Sequence, residues 1–167
     1  MEISANLVKE LRNKTGAGVM ECKKALIEAE ASLERATEIL KQQGFSLAEK
    51  KTARHVGQGV VEAYIHAGGR VGALVEVNCE TDFVARTEDF RELAHNLALQ
   101  VTAMAPQFVS EDEIPAALEG EPAQLCLLSQ PFIKDNSKTV HDIVTETIAK
   151  TGENIKVRRF TRFELGF

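Results

Sequence analysis

Tryptophan is absent from this chain, tyrosine occurs once and phenylalanine eight times, so any core must be mostly aliphatic. Cysteine is scarce as well. Cys22, Cys79 and Cys126 are odd in number, far apart and without a Cys-x-x-Cys pair. That pattern excludes a disulfide framework and points to a reducing compartment, the cytoplasm. No apolar run approaches the roughly 18 residues of a membrane span. Met1-Glu2-Ile3-Ser4 has neither the basic start nor the apolar middle of a secretion signal. Positive charge is outweighed too: 20 Lys and Arg against 25 Asp and Glu leave a net charge of −5, which disfavours general binding to nucleic acid.

Familiar catalytic patterns are also missing. His55, His66, His95 and His141 are scattered and never stand at the i, i+4 spacing of a helical metal pair. There is no Gly-x-Ser-x-Gly elbow. The glycines of Thr15-Gly16-Ala17-Gly18 lead into Val19-Met20 and not into Lys-Ser or Lys-Thr, so they cannot form a phosphate-binding loop with its reaching lysine. Cys79 beside Glu80 reads as a buried structural thiol rather than a nucleophile. The expectation is a protein that is not an enzyme, with no metal, no cofactor and no nucleotide of its own.

What is present is a soluble composition, 44 % hydrophobic and 27 % charged over 167 residues. The pattern divides the chain into a three-helix unit over 1–45, a basic linker over 46–56 and an α+β core domain over 57–167. In the first unit, Ser4 caps a helix with Ile3 and Val8 at staple spacing, and Thr15-Gly16 ends it. A second helix follows Gly18. Ser32 caps a third, which Gly44 is placed to terminate. So small a bundle has no room for an active-site cleft, and its work is docking. The segment 46–56 carries Lys50, Lys51, Arg54 and His55 and leads to Gly57 and Gly59.

From Val60 the period changes to two. Val61, Ala63 and Ile65 face one way, Glu62, Tyr64 and His66 the other. After a turn at Ala67–Arg70, Val71, Ala73, Val75 and Val77 resume the alternation, giving a hairpin with one buried face. A long helix capped by Thr87 repeats Phe90, Leu93, Ala94, Leu97, Ala98 and Val101 at helical spacing. Residues 105–130 read as a Pro- and Gly-punctuated connection with one helical turn after Ser110. Thr139 and Asp142 then open a helix ended by Gly152. The last strand alternates Ile155, Val157, Thr161, Phe163 and Leu165 against Lys156, Arg158, Phe160, Arg162 and Glu164. Together these make an antiparallel sheet covered by helices.

Two features bear on function. Lys156, Arg158, Phe160 and Arg162 on one strand face mix charge with an aromatic, the pattern of a small nucleic-acid platform. An RNA- or ribosome-associated adaptor is therefore the alternative reading, and its binding would weaken steeply with salt. The more informative stretch is Asn78-Cys79-Glu80-Thr81-Asp82-Phe83-Val84-Ala85-Arg86, at the passage from strand to long helix. Read physically, Asp82 is a helix cap and Phe83 a core or staple residue, or else Phe83 is an exposed apolar wedge with Asp82 a negative probe beside it. The residues alone leave both open.

These segments resemble the elongation factor Ts family, of bacterial or organellar type. The likeness runs through Leu7-Val8-Lys9-Glu10-Leu11-Arg12, Thr15 to Leu26, Glu76 to Arg86, Gln130 to Asp135, Gly152 to Ile155 and Val157 to Glu164. It implies an N-terminal three-helix domain similar to ubiquitin-associated modules, docking on elongation factor Tu through Leu7, Val8, Leu11 and Arg12. It also implies that Thr81, Asp82, Phe83 and Val84 insert beside that partner's magnesium site and promote GDP release. The partner would be met both GDP-bound and nucleotide-free, with no membrane and no direct nucleic-acid contact. Members of the family carry a helical insertion where only Ala116 to Ser129 stands here. The shortening leaves surface uncovered, so a homodimer through the second domain is also expected as a candidate, although Thr161 offers no thiol for a covalent link.

Overall fold

A computed structural model describes residues 3–167. Met1 and Glu2, part of the start read above for a secretion signal and for the 1–45 unit, lie outside the described residues. The fold is α+β. Three helices come first: α1 (Ala5–Thr15), α2 (Val19–Glu28) and α3 (Leu33–Lys51). Their starts are fixed locally. The Ser4 hydroxyl accepts from Leu7 N–H and the Ser32 hydroxyl from Arg35 N–H, while Glu21 accepts from Gly18 N–H at 3.0 Å. Leu11, Cys22, Ala25, Leu26 and Ala36 form their core, with Ile3 packed against it. Gly16 ends α1 at φ 70°, a conformation that costs glycine nothing.

The third helix corrects the expectation that Gly44 terminates it. α3 runs on to Lys51, because its second half has partners of its own: Ala48 joins the core of the sheet region and the Lys51 Nζ donates to Gly152 O at 2.5 Å. Gly44 is buried and faces Ala149, where a small residue lets α3 lie close to a second helix. Residues 46–51, read above as linker, are thus helical.

The sheet is antiparallel in the order β1 (Gln58–Ile65), β2 (Val71–Cys79), β5 (Ile155–Glu164). Between β2 and β5 come a short helix α4 (Asp82–Ala85) and the long α5 (Glu88–Met104), capped by Thr87 as expected. The connection then holds a 3-10 turn at Glu111–Glu113, α6 (Pro122–Leu125) and a second 3-10 turn at Leu127–Ser129. A two-stranded ribbon, β3 (Pro131–Phe132) with β4 (Asp135–Thr139), leads into α7 (Val140–Thr151). Thr139 and Asp142 exchange their capping hydrogen bonds at 3.1 and 2.9 Å, and Gly152 closes α7 at φ 75°. Helices α5 and α7 cover one face of the sheet, burying Val75, Val77, Phe90, Leu97, Val140 and Ile155.

Two facing assignments are corrected. On β1 the inward side is Val60, Glu62 and Tyr64, while Val61, Ala63 and Ile65 are exposed. Apolar residues stand on both sides of this strand, and only pairing fixes the phase: Val60 opposes Val77 and Tyr64 opposes Ala73, both inward. On β5 the register shifts between Glu76 and Val77, so Glu76 faces Arg159 while Val77 faces Val157. The extra residue, Arg158, reverses the alternation beyond it. Phe160 turns inward, and Arg162 reaches back to donate to Thr102 O at 3.0 Å. The basic face expected from Lys156, Arg158, Phe160 and Arg162 is therefore divided between two sides of the sheet. Its arginines are also engaged: Arg158 and Arg159 hold Glu76 at 3.2 and 2.7 Å, and Arg162 holds Glu164 at 2.7 Å.

Candidate functional site

The stretch from Asn78 to Arg86 crosses the end of β2, the last paired residue being Cys79 opposite Ile155. Thr81 then takes extended backbone angles and caps α4, its hydroxyl accepting from Val84 N–H at 3.3 Å. Thr81, not Asp82, is thus the capping residue. Over the next turn the side chains divide. Val84 packs against the sheet core and Ala85 is buried beneath the tip. Asp82 lies at the surface, paired with Arg86 at 2.6 Å. Phe83 is 77 % exposed. The choice left open by the sequence is resolved on this point, because Phe83 is neither core nor staple.

The tip stands on stiff support. The Cys79 thiol donates to Thr81 O at 3.1 Å, and burial, reinforced by the Glu153 carboxylate, pushes its pKa up to about 11. Cys79 is fully buried and is no nucleophile at neutral pH. On the helix-covered side of β1, Glu62 and His95 lie 3.4 Å apart, with Tyr64 edge-on to the imidazole.

The second group of expected residues is placed less uniformly. Leu11 is fully buried and Val8 nearly so, both in the helical core. Leu7 is half-buried and Arg12 exposed. The apolar side chains that do face outward here are Val19 and Met20, at the start of α2, and Ile27.

No group of three or more His, Cys, Asp or Glu side chains that could hold a metal ion occurs among the described residues. No helix among them is long and apolar enough to cross a membrane. A cleft of about 480 Å³ opens between α3, α7 and the start of β5 beside Phe45, Val109, His141 and Val144, and none of Thr81 to Val84 lines it.

Comparison with known proteins adds the family. A family profile described as Elongation factor TS matches residues 1–122. The chain belongs to the elongation factor Ts family. Among its relatives, the Elongation factor Ts of Coprothermobacter proteolyticus is 49 % identical, with 99 % of this chain and all of the relative covered. That of Desulforamulus reducens is also 49 % identical, over 99 % of this chain and 90 % of the relative. That of Thermotoga maritima is 47 % identical, over 99 % of this chain and 98 % of the relative. The first of these alignments extends over 196 positions, so about thirty positions in the family member have no counterpart in this 167-residue chain.

Proposed function

We propose that this chain is a guanine-nucleotide exchange factor for elongation factor Tu in translation elongation. It works in the cytoplasm through a protein surface and makes or breaks no covalent bond. The observation that carries the reading is the tip. Phe83 is held outward by a capped turn whose inner residues, Val84 and Ala85, are anchored in the core. A large side chain exposed on a fixed support loses little freedom when it enters a partner. Phe83 acts as a wedge beside the partner's magnesium site, and Asp82 brings negative charge against the groups that hold the cation. A magnesium ion held less firmly neutralises the phosphates less well, and GDP leaves faster.

The exchange is reciprocal: bound nucleotide weakens the factor's own binding by the same free energy with which the factor weakens the nucleotide. Both GDP-bound and nucleotide-free partner are therefore met in each cycle, and nucleotide concentration decides what rebinds. Helices α1 and α2 with the first part of α3 serve as the dock, a ubiquitin-associated-like unit over 1–45, with 57–167 carrying the tip and 46–56, which begins with the end of α3, joining them. Leu7 and Arg12 contribute its surface, next to the exposed Val19 and Met20, while Val8 and Leu11 support them from beneath. Neither membrane nor nucleic acid has a part in this reading.

The direct test is release of fluorescent GDP from purified elongation factor Tu. Acceleration by catalytic amounts of this protein is expected; binding without acceleration would sink the proposal.

A second reading concerns self-association. The outer face of the sheet carries Val61, Ile65, Leu74 and Phe163, all exposed, and Glu76 there is already neutralised by Arg158 and Arg159. An exposed apolar patch of this kind, set beside the ion pairs of Glu76, suits a second copy of the chain. Light scattering at micromolar concentration should give the mass of a dimer, and Phe163→Asp that of a monomer. A monomeric mass for the unaltered protein removes the reading.

A further inference from the structure

The turn between α7 and β5, Gly152–Asn154, grips two separate parts of the molecule. Toward the tip, the Glu153 carboxylate accepts from Glu80 N–H at 3.1 Å, from Thr81 N–H at 3.0 Å and from the Thr81 hydroxyl at 2.6 Å. Next to it, Asn154 N–H donates to the Glu80 carboxylate at 2.7 Å. Toward α3, the Asn154 side-chain amide donates to Thr52 O and Arg54 O, at 3.4 and 2.9 Å, and Gly152 O accepts from Lys51. Asn154 is almost completely buried, and Arg54 adds an ion pair to Glu80 at 3.5 Å.

Glu153 differs from its neighbours in one respect. Every hydrogen bond its carboxylate makes goes to the tip. Charge-assisted bonds of this kind are short and directional. By holding both the N–H and the hydroxyl of Thr81, the carboxylate sets the backbone and the side-chain rotamer of that residue together. The Thr81 hydroxyl, whose hydrogen points at Glu153, accepts in turn from Val84 N–H. The line Glu153–Thr81–Val84 therefore fixes the direction of the first turn of α4, and Phe83 lies inside that turn.

We propose that Glu153 is the positioning residue for nucleotide release: through Thr81 it sets the angle at which Phe83 is presented to the partner. The inference rests on the reading of Phe83 as the wedge. It assigns a role to a residue about seventy positions away in sequence, in a turn that touches no partner in that reading. Both backbone N–H groups converge on one carboxylate oxygen and the Thr81 hydroxyl takes the other, so an amide, with a single acceptor oxygen, cannot serve both places, and Glu153→Gln loosens the tip without altering size.

The experiment measures GDP release from elongation factor Tu over a range of factor concentrations, giving a maximal rate and a half-saturating concentration. The proteins are the unaltered chain, Phe83→Ala, Glu153→Gln and the double variant. Glu153→Gln should lower the maximal rate about tenfold and move half-saturation less than about threefold, the pattern of an interaction realised only during release. In the Phe83→Ala background the same change should have almost no further effect, since two residues acting through one group do not add. Thr81→Val should behave like Glu153→Gln, and it reads the same contact if Glu153→Gln does not fold. Equal losses from Glu153→Gln with and without Phe83 would overturn the inference alone, as would a raised half-saturation at unchanged maximal rate. A fully active Phe83→Ala variant would overturn the wedge reading and the inference with it.

Discussion

Replacing Phe83 by alanine separates stability from exchange, and the structure sets both magnitudes. Full burial of a phenylalanine side chain is worth about 1.5–3 kcal/mol. With Phe83 77 % exposed, less than a quarter of that is realised, roughly 0.5 kcal/mol. Alanine is the better helix former by roughly 0.5 kcal/mol, which offsets most of the loss within α4. Denaturant unfolding of Phe83→Ala should therefore move by no more than about 0.5 kcal/mol, whereas truncating a core phenylalanine costs 3–5 kcal/mol. Release should suffer far more. An aromatic anchor inserted into a partner contributes on the order of 2 kcal/mol, and at 1.36 kcal/mol per factor of ten this is about a thirtyfold slower maximal release. The assay pairs urea unfolding of the free protein with stopped-flow release of fluorescent GDP. A stability loss above about 2 kcal/mol, or release within about threefold of the unaltered protein, refutes the reasoning from exposure to wedge.

Three further outcomes follow from named contacts. Leu11→Ala should cost about 2–5 kcal/mol and melt the helical unit by circular dichroism, whereas Arg12→Ala should leave it folded and weaken only partner binding, read by titration calorimetry. Gly59, at φ 147°, has Val77 O where a Cβ would stand, so Gly59→Ala should lower stability by about 1–3 kcal/mol in thermal unfolding; an unchanged midpoint would contradict the close approach. Cys79 is protonated more firmly in the folded chain than in the unfolded, with a pKa of about 11 against the ordinary 9.0. Its contribution to stability is therefore complete below pH 9.0 and is lost as pH rises toward about 11; Cys79→Ala should flatten that alkaline decline.

Much of this fold was legible in the sequence wherever the determinants are local. Ser4, Ser32, Thr87 and Thr139 cap the helices they precede, and Gly16 and Gly152 end the helices they follow, because each acts on backbone groups within a turn of itself. Gly44 has the same chemistry and a different outcome. The residues beyond it are held by α7 and by Gly152 O, a hundred positions away, and those contacts carry the helix through. The inward face of β1 was not legible for a related reason: Val60 and Val61 are equally apolar, and their facing is decided by the partner strand. The bulge at Arg158 belongs to two strands at once and leaves no mark on either alone. At the site, the sequence located the tip but not its exposure, since a phenylalanine two residues into a short helix packs inward or outward according to what lies beneath it. Glu153 escaped notice because its partners are distant in the chain and are chiefly backbone groups.

The continuity of α3 has a mechanical meaning. Its 19 residues span about 28 Å at 1.5 Å per residue, with one end in the helical core and the other pinned beside the turn that holds the tip. The helical unit and the tip are therefore joined as the two jaws of a caliper and not as beads on a cord. Under the proposed function the factor measures a separation on its partner, and only an arrangement of the partner with that spacing would seat both jaws. One residue inserted into α3 near Gly44 would lengthen the caliper by only about 1.5 Å but turn one jaw by about 100°. The gauge would then be spoiled while both jaws kept their shape.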